Sequence, residues 1–526
     1  MKSYQNHLKD TKSFGEKLNV SYKPTMRSSA VFPLIVKKNK IDSIYTFMGY
    51  WLRKRNITVV TALLTVRDSN GRKIALKNYE INSTRSFVFR GSHLIKDIVK
   101  KSDDFKGSLE IEIFSAVDMV FPFPAITFAF EGINGLTFVH TCGRIYNDLD
   151  DMEANEDIAV PETGFDVFLK KNFQPFFSFI NGPIEIKSLP YELEFIDEFG
   201  KTQTYRRKLK HIPPFGLAWI NIFKDEKEKK KFKGEKLTVK IKHKFKGFFP
   251  RFVAGNVYNN FSDISLTHTY YDTSLDKTKS AVYKNPDKEK YFDSVISMPF
   301  DKNFEKVELA IYPNFVKSKC VLSFELFNQK GILLSSSDKK ITIADGKNKL
   351  MYVPLIDLFK PFKNELSSGM IRVIIDGKGT VPTRIKFGLN ISKSVNGVSL
   401  PSNICFNAKV PNEKIVKKTG TFKWCTMFDG LNQKIYLHNT SFVKNGAGKA
   451  EINLEICRES DDEKLKWKIN LEQNGSAELV SDKNIEIRDF LNGDIGWLSA
   501  QCSNPFITGY YITDFNKGVI GADHLY

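Results

Sequence analysis

The chain of 526 residues carries 79 lysines and arginines against 60 acidic residues, a formal net charge of +19. Its 41% hydrophobic content and mean hydropathy of −0.29 indicate a globular protein rather than a disordered one. No apolar run approaches the roughly 18–20 residues of a membrane-spanning helix. The polar amino terminus lacks the apolar stretch of a secretory signal, so we expect a cytoplasmic protein with no transmembrane segment.

The first segment is basic. Residues 1–40 hold nine lysines and arginines, two acidic residues and little periodicity. We therefore predict a basic N-terminal arm over 1–40 that precedes the first domain.

The next hundred residues alternate apolar and polar positions, which is typical of half-buried strands. The pattern predicts seven strands in this part of the chain: 42–52, 57–67, 72–81, 86–90, 108–115, 125–131 and 136–142. Seven or eight short antiparallel strands in about 110–125 residues fit a β-sandwich with immunoglobulin-like or jelly-roll-like connections.

Landmarks of this first unit recur along the chain. Asp68–Gly71, Asp197–Gly200 and Asn328–Gly331 begin 129 and 131 residues apart, and each predicts a hairpin turn. Four prolines that precede the penultimate strand of each unit lie 126, 132 and 123 residues apart: Pro124, Pro250, Pro382 and Pro505. A period this long indicates duplicated domains rather than a solenoid.

The repeat divides the chain into an all-β protein of four tandem antiparallel β-sandwich domains related by internal duplication. We predict domains over 41–155, 156–285, 286–415 and 416–526, after the arm. With the arm counted in the first, the first three units have a net charge of +7 each and the fourth has −2. A basic surface favours an anionic partner, although a lysine-rich proteome would produce the same composition.

Unit two carries the most basic strand. Lys240, Lys242, Lys244 and Lys246 occupy alternate positions, and Arg206 and Arg207 precede them. These six residues are a candidate anion-binding face. The alternative interpretation is an edge strand that its lysines protect from aggregation.

Histidines end the last predicted strand of three units: His140, His268 and His524. Ser402 and Asn403 take the aligned place in unit three. We interpret the histidines as structural, each tying a strand end to a backbone carbonyl. The alternative is a ligand contact, but no zinc-type spacing accompanies them, so no metal site is expected.

The six cysteines are distributed unevenly among the units and form no C-x-x-C pair, so free, buried thiols are expected. The chain lacks the P-loop, dinucleotide-binding, nucleophile-elbow and metalloprotease motifs, and no cofactor is expected.

The sequence thus predicts a non-enzymatic binding or scaffolding protein with an anionic partner, either acidic polysaccharide or protein. No nucleic-acid motif accompanies the charge. Two alternatives stay open: a glycan-acting enzyme with a pocket between domains that uses the histidines, and a structural assembly or viral subunit. The oligomeric state is left open.

Overall fold

The computed structural model describes residues 25–98, 104–121, 123–140, 143–146, 162–163, 165–249, 251–271, 282–312, 319–343, 350–383, 385–446 and 448–526. Almost all regular structure is antiparallel β-sheet, as the alternation predicts. Among the described residues, no helix is long and apolar enough to cross a membrane.

Unit one contains eight strands and two short helices. The strands are β1 (Arg27–Val36), β2 (Asp42–Met48), β3 (Val60–Asp68), β4 (Lys73–Ile81), β5 (Ser86–Arg90), β6 (Phe105–Phe114), β7 (Thr127–Glu131) and β8 (Leu136–His140). The helices are α1 (Tyr50–Arg55) and α2 (Gly91–Ile95).

Unit two contains ten strands and one helical turn. The strands are β9 (Glu162–Thr163), β10 (Asp166–Phe168), β11 (Phe173–Ile180), β12 (Leu189–Asp197), β13 (Thr202–Leu209), β14 (Leu217–Asn221), β15 (Lys236–Lys242), β16 (Val253–Tyr258), β17 (Asp263–His268) and β18 (Tyr270–Tyr271), and the turn is α3 (Glu226–Lys229).

Unit three contains eleven strands. They are β19 (Val282–Lys284), β20 (Ser294–Asp301), β21 (Lys306–Ile311), β22 (Cys320–Asn328), β23 (Leu333–Ser336), β24 (Ile341–Ile343), β25 (Met351–Pro354), β26 (Ser368–Asp376), β27 (Thr380–Pro382), β28 (Lys386–Ser392) and β29 (Ser402–Asn407). Its helical segments are α4 (Leu355–Leu358) and a 3₁₀ turn (Lys360–Lys363).

Unit four begins after the turn α5 (Glu413–Val416). Its strands are β30 (Thr421–Phe428), β31 (Lys434–Asn439), β32 (Ala450–Cys457), β33 (Lys464–Leu471), β34 (Ser476–Val480), β35 (Ile495–Cys502), β36 (Ile507–Asp514) and β37 (Ile520–His524). A 3₁₀ turn (Ser481–Lys483) and α6 (Ile485–Leu491) connect β34 to β35.

One strand order recurs in all four units. In unit one the first sheet is β1-β6-β3-β4 and the second is β5-β2-β7-β8, and unit four repeats it as β30-β35-β32-β33 and β34-β31-β36-β37. Unit two has β13-β12-β15-β9 and β14-β11-β16-β17, and unit three has β20-β26-β22-β23 and β25-β21-β28-β29. Immunoglobulin domains instead pair their first strand with their second. The common order agrees with the proposed repeat, and common descent of the units stays a hypothesis.

The aligned turns have the same local geometry. The N–H of Gly71 donates to the Asp68 carbonyl, and that of Gly200 donates to the Asp197 carbonyl, at 3.0 and 2.9 Å. Both glycines have positive φ, +82° and +77°, which L side chains rarely adopt. Pro124 lies between β6 and β7, Pro382 ends β27 between β26 and β28, and Pro505 lies between β35 and β36, while Pro250 lies outside the described residues.

Part of the predicted N-terminal arm is wrong. Residues 27–36 form β1, which pairs with β6 along its whole length. Nine of its ten residues are buried, because unit two covers the outer face of the sheet. Burial of both faces removes the alternation on which the sequence prediction depended. Residues 1–24 of the arm lie outside the described residues.

The units follow one another head to tail. The edge strands β5, β14 and β34 of the second sheets donate their first N–H to the turn of the preceding unit: Leu217 to the Ser69 carbonyl at 3.1 Å, and Ser476 to the Gln329 carbonyl at 3.0 Å. The N–H of Ser86 in unit one donates in the same way to the Arg458 carbonyl of unit four at 2.9 Å. Unit four therefore packs against unit one and closes a ring of four.

The sheets of neighbouring units also contact one another in a constant head-to-tail order. Side chains of the first sheet of one unit contact the second sheet of the next: Lys106 lies over the Trp219 ring, Lys236 pairs with Glu308, Asp301 pairs with Lys434, and Trp497 donates to Thr46. The buried core consequently crosses unit boundaries, and Trp497 of unit four packs with the core of unit one.

Candidate functional site at the ring axis

The last strand of each second sheet lies at the centre of the ring. We call β8, β17, β29 and β37 the terminal strands, and each lies against two others in a closed cycle. Side chains bond across these contacts: Ser402 Oγ donates to the Ala522 carbonyl, and Thr267 Oγ1 donates to Asn403 Oδ1, each at 3.4 Å. The ends of the terminal strands are thus brought to one place.

The three repeated histidines meet there. His140, His268 and His524 are the last residues of β8, β17 and β37. The His140 ring centroid lies 4.4 Å from that of His268 and 4.8 Å from that of His524. The sequence repeat shows that the three histidines occupy equivalent positions. It does not show that they meet, because their contact depends on closure of the ring.

Each imidazole has a bonded Nδ1. His268 Nδ1 lies 2.9 Å from the Thr269 carbonyl, and His524 Nδ1 lies 3.1 Å from the Leu525 carbonyl. A carbonyl only accepts, so these two rings carry their proton on Nδ1 and a lone pair on Nε2. These bonds agree with the predicted tie to a backbone carbonyl. His140 differs, since its Nδ1 lies 2.9 Å from Asp523 Oδ2.

Asp523 is a buried carboxyl group that the sequence analysis did not single out. The N–H groups of His140 and His524 donate to it at 3.0 and 2.8 Å. Burial raises the pKa of Asp523 to about 8. Burial also lowers the pKa of His140 well below its usual value and lowers that of His524 to about 4. The His140–Asp523 pair is therefore neutral at pH 7, with one shared proton.

The assignment in unit three is wrong. Ser402 and Asn403 begin β29 rather than end it, and Asn407 is its last residue. Val395 and Val398 bond to each other around a turn that precedes β29. Asn396 and Gly397 form this turn, with φ of +50° and +79°.

A first cleft opens between units three and four, on one side of His524. Its volume is about 450 Å³, and we call it the lysine cleft because Lys409, Lys418 and Lys423 line it. Its apolar wall contains Phe406, Phe442, Phe506, Tyr510 and Tyr526. No described residue that lines it is Asp or Glu.

The lysines of this cleft repel one another. Burial, then the charge of Lys418, lowers the pKa of Lys423 to about 8. Burial and the charges of Lys423 and Lys418 hold the pKa of Lys409 well below its usual value. The charges that act on Lys409 and Lys423 in the described structure are those of lysines, not of carboxylates. An anion in the cleft would relieve this repulsion.

A second cleft of about 430 Å³ opens on the other side of His524, between units four and one. We call it the aromatic cleft. Its walls include Tyr50, Trp51, Phe121, Trp424 and Tyr526, and its polar residues are His140, His524 and Arg251. The described lining of this cleft also holds no Asp or Glu.

The predicted anion-binding face of unit two is largely paired with carboxylates. Arg206 binds Glu192 at 3.1 Å, Arg207 binds Glu228, and Lys242 binds Glu194. Lys240 is buried, with 3% of its surface exposed. Of the four lysines, Lys244 and Lys246 are exposed, and both follow the end of β15.

The alternative of an edge strand is wrong for β15. This strand pairs with β12 on one side and with β9 and β10 on the other. Glutamates of β12 lie opposite its lysines, at Glu192↔Lys242 and Glu194↔Lys240. The charges of the face are therefore balanced across the strands, a pairing that depends on a register the sequence does not specify.

Cys320, Cys425, Cys457 and Cys502 are buried and free, as predicted, Cys405 is buried, and Cys142 lies outside the described residues. Sequence reasoning missed Lys409, Lys418 and Lys423, since they lie at the junction of units three and four and belong to no repeated motif. Unit four has a net charge of −2, which does not predict a cluster of lysines at this junction.

Comparisons with known proteins do not identify the chain. No protein-family model matches it, and no curated protein matches it. Among solved structures, it shows a weak similarity to a calcium-binding mutant of Bacteroides uniformis β-glucuronidase 2, with 8% identity and a TM-score of 0.12. The match covers 48% of this chain and 26% of that one, and at this score it carries no argument. The class of protein that the fold defines is an all-β protein of several sandwiches.

Proposed function

We propose that the protein is a non-catalytic binding protein whose lysine cleft takes the acidic group of an anionic partner, with acidic carbohydrate as the leading class. The observation that carries the proposal is the position of Lys409, Lys418 and Lys423 in one cleft without a described carboxylate. Three unneutralised ammonium groups attract an anion and discriminate against a cation.

The shape of the cleft supports a ligand with both a charged and an apolar part. Its volume of about 450 Å³ lies within the range of small-molecule sites. Aromatic rings such as Phe506 and Tyr510 offer flat surfaces on which a sugar ring can stack, while a lysine binds its carboxylate or sulfate. Lys54 of unit one extends the positive surface of the cleft. Burial, the charge of Arg55 and then the charge of Lys418 lower the pKa of Lys54, so Lys54 and Lys418 lie close enough to repel each other.

The lining chemistry favours binding over hydrolysis of glycans. Most glycosidases use two carboxyl groups that flank the scissile bond. The described linings of the lysine cleft and the aromatic cleft contain none. Asp523 lies behind His140, and its carboxyl group is occupied by two backbone N–H groups and the imidazole.

The test is a panel of immobilised oligosaccharides that are sulfated, carboxylated or neutral, probed with the full chain. We expect retention on at least one acidic class, no retention on the matched neutral sugars and no release of reducing ends. Equal retention on acidic and neutral sugars would contradict the role of the lysines. Release of reducing ends would establish the enzymatic alternative, and retention on none of the acidic sugars would exclude carbohydrate as the partner.

A further inference from the structure

A second kind of ligand is indicated at the histidine cluster itself. His140, Asp523 and His524 each offer one ligand atom, and these atoms lie within 4.8 Å of one another. Ligand atoms about 2.0–2.2 Å from a tetrahedral zinc ion lie roughly 3.3–3.6 Å apart. A contraction of about 1 Å at the strand ends would therefore give the spacing that a metal requires.

The hydrogen bonds at Nδ1 match the outer shell of metal-binding histidines. Such residues usually donate their other ring N–H to a carbonyl or a carboxylate, which fixes the tautomer and the ring direction. His524 donates to the Leu525 carbonyl and His268 donates to the Thr269 carbonyl. In that tautomer Nε2 carries the lone pair that a metal ion needs.

Asp523 would supply a negative charge to the cluster once a bound metal ion displaces its proton. It is only 4% exposed, and two backbone N–H groups hold its carboxyl group in place. Buried carboxylates are normally paired with a cation or coordinate a metal. In the described structure Asp523 contacts His140, with no lysine or arginine in ion-pair contact.

The surroundings also select the kind of metal. Arg251, Lys409 and Lys423 lie close enough for their charges to act on His524. One carboxylate among these cations would hold Ca²⁺ or Mg²⁺ poorly, because both need several oxygen ligands. Imidazole nitrogens instead suit Zn²⁺ and its neighbours in the transition series.

We propose that His140, His524 and Asp523, with His268 beside them, bind one divalent transition-metal ion of the Zn²⁺ type at the ring axis. The ion would join the ends of β8 and β37, and thereby units one and four. His524 also borders the lysine cleft, where the charges of Lys409 and Lys423 oppose a cation, so the two imidazoles and the carboxylate must outweigh this repulsion.

The experiment is a calorimetric titration of the chelator-treated full chain with Zn²⁺, paired with a Co²⁺ absorption spectrum. We expect one ion per chain, the intense visible bands of four-coordinate Co²⁺, and no response to Mg²⁺. The variant His524→Gln removes a direct ligand, so its affinity for Zn²⁺ should fall by more than the ~10–100-fold that loss of an outer-shell partner costs.

His211→Gln is the matched control, because His211 and Glu185 form an exposed histidine–carboxylate pair at 3.1 Å. It should bind Zn²⁺ as the wild type does. If His211→Gln loses Zn²⁺ binding and His524→Gln keeps it, the ion binds at the surface and the proposal is overturned. Absence of wild-type binding at tens of micromolar Zn²⁺ would also overturn it. If His524→Gln fails to fold, the wild-type Co²⁺ spectrum decides: octahedral, weak bands contradict the site.

Discussion

Trp497 of unit four donates its indole N–H to Thr46 Oγ1 of unit one at 2.9 Å, although 451 residues separate them in the chain. Both side chains are buried, and the bond lies where the last unit of the ring meets the first. It belongs to the same kind of contact that joins the other units, between the first sheet of one and the second sheet of the next.

We expect Thr46→Val to lower the free energy of unfolding by about 1–3 kcal/mol, because the buried indole N–H loses its acceptor. Thr61→Val on the same unit is the control, since Thr61 is exposed on β3 and its change should stay within about 0.5 kcal/mol. Chemical unfolding followed by fluorescence measures both. Equal effects in the two variants would mean that the closing contact does not stabilise the ring.

Alanine substitutions at Gly71 and Gly430 distinguish the cost of backbone strain from the cost of a steric clash. Both have positive φ, +82° and +69°, so an alanine at either position is strained by about 1–2 kcal/mol. A Cβ at Gly71 would also lie 2.1 Å from the Pro214 carbonyl of unit two, whereas nothing lies within 4 Å at Gly430. Gly71→Ala should therefore be the more destabilising variant in thermal unfolding. The reverse order would argue against the packing of this turn on unit two.

The positions of the strands were largely predictable from the sequence, since period-2 alternation marks strands with one buried face. Strands 73–81 and 86–90 differ from the prediction by at most one residue. The exceptions have physical causes. Residues 27–36 lack alternation because both faces are buried, and the aligned segment of unit three forms a turn at Asn396.

The candidate site was much less predictable. The repeat identified His140, His268 and His524 as equivalent, but equivalence does not imply contact. Asp523 lies next to His524 in sequence and could have been noted as a neighbour of a repeated position. Lys409 and Lys423 are brought together only when two units pack. No local sequence pattern predicts such a cleft, because the cleft forms only where the sheets of two units pack together.

Acid should destabilise the protein through its buried histidines, of which His438 is an example. Burial lowers the pKa of His438 to about 3. Between that pH and about 6.5 the unfolded chain binds a proton that the folded chain does not, so stability falls as pH decreases. The slope is about 1.4 kcal/mol per pH unit for one histidine. In His438→Gln the dependence of unfolding free energy on pH between 4 and 6 should be shallower by about this amount. An unchanged slope would show that His438 is protonated in the folded protein.

The affinity of the lysine cleft for an anion should depend on pH. The pKa of Lys423 is lowered to about 8 in the free protein, and a bound anion raises it, so binding is coupled to protonation. Affinity should be greatest below pH 8 and should fall as pH rises through it. Lys423→Arg keeps its charge to much higher pH, and its profile between pH 7 and 9 should be flatter. Identical profiles for both proteins would show that Lys423 does not contact the ligand.

The most direct test of the account compares two pairs of lysines in a calorimetric titration with a sulfated hexasaccharide at physiological salt. Lys409→Met with Lys423→Met removes charge from the lysine cleft and keeps the aliphatic length of the side chains. Lys244→Met with Lys246→Met removes the same charge from the exposed lysines that follow β15 in unit two. We predict that the first pair lowers affinity at least about tenfold, the loss of one or two charge-assisted hydrogen bonds, while the second changes it less than about threefold. An equal loss in both pairs would mean that the ligand responds to the overall charge of the protein, and a loss only in the second would place the site on unit two.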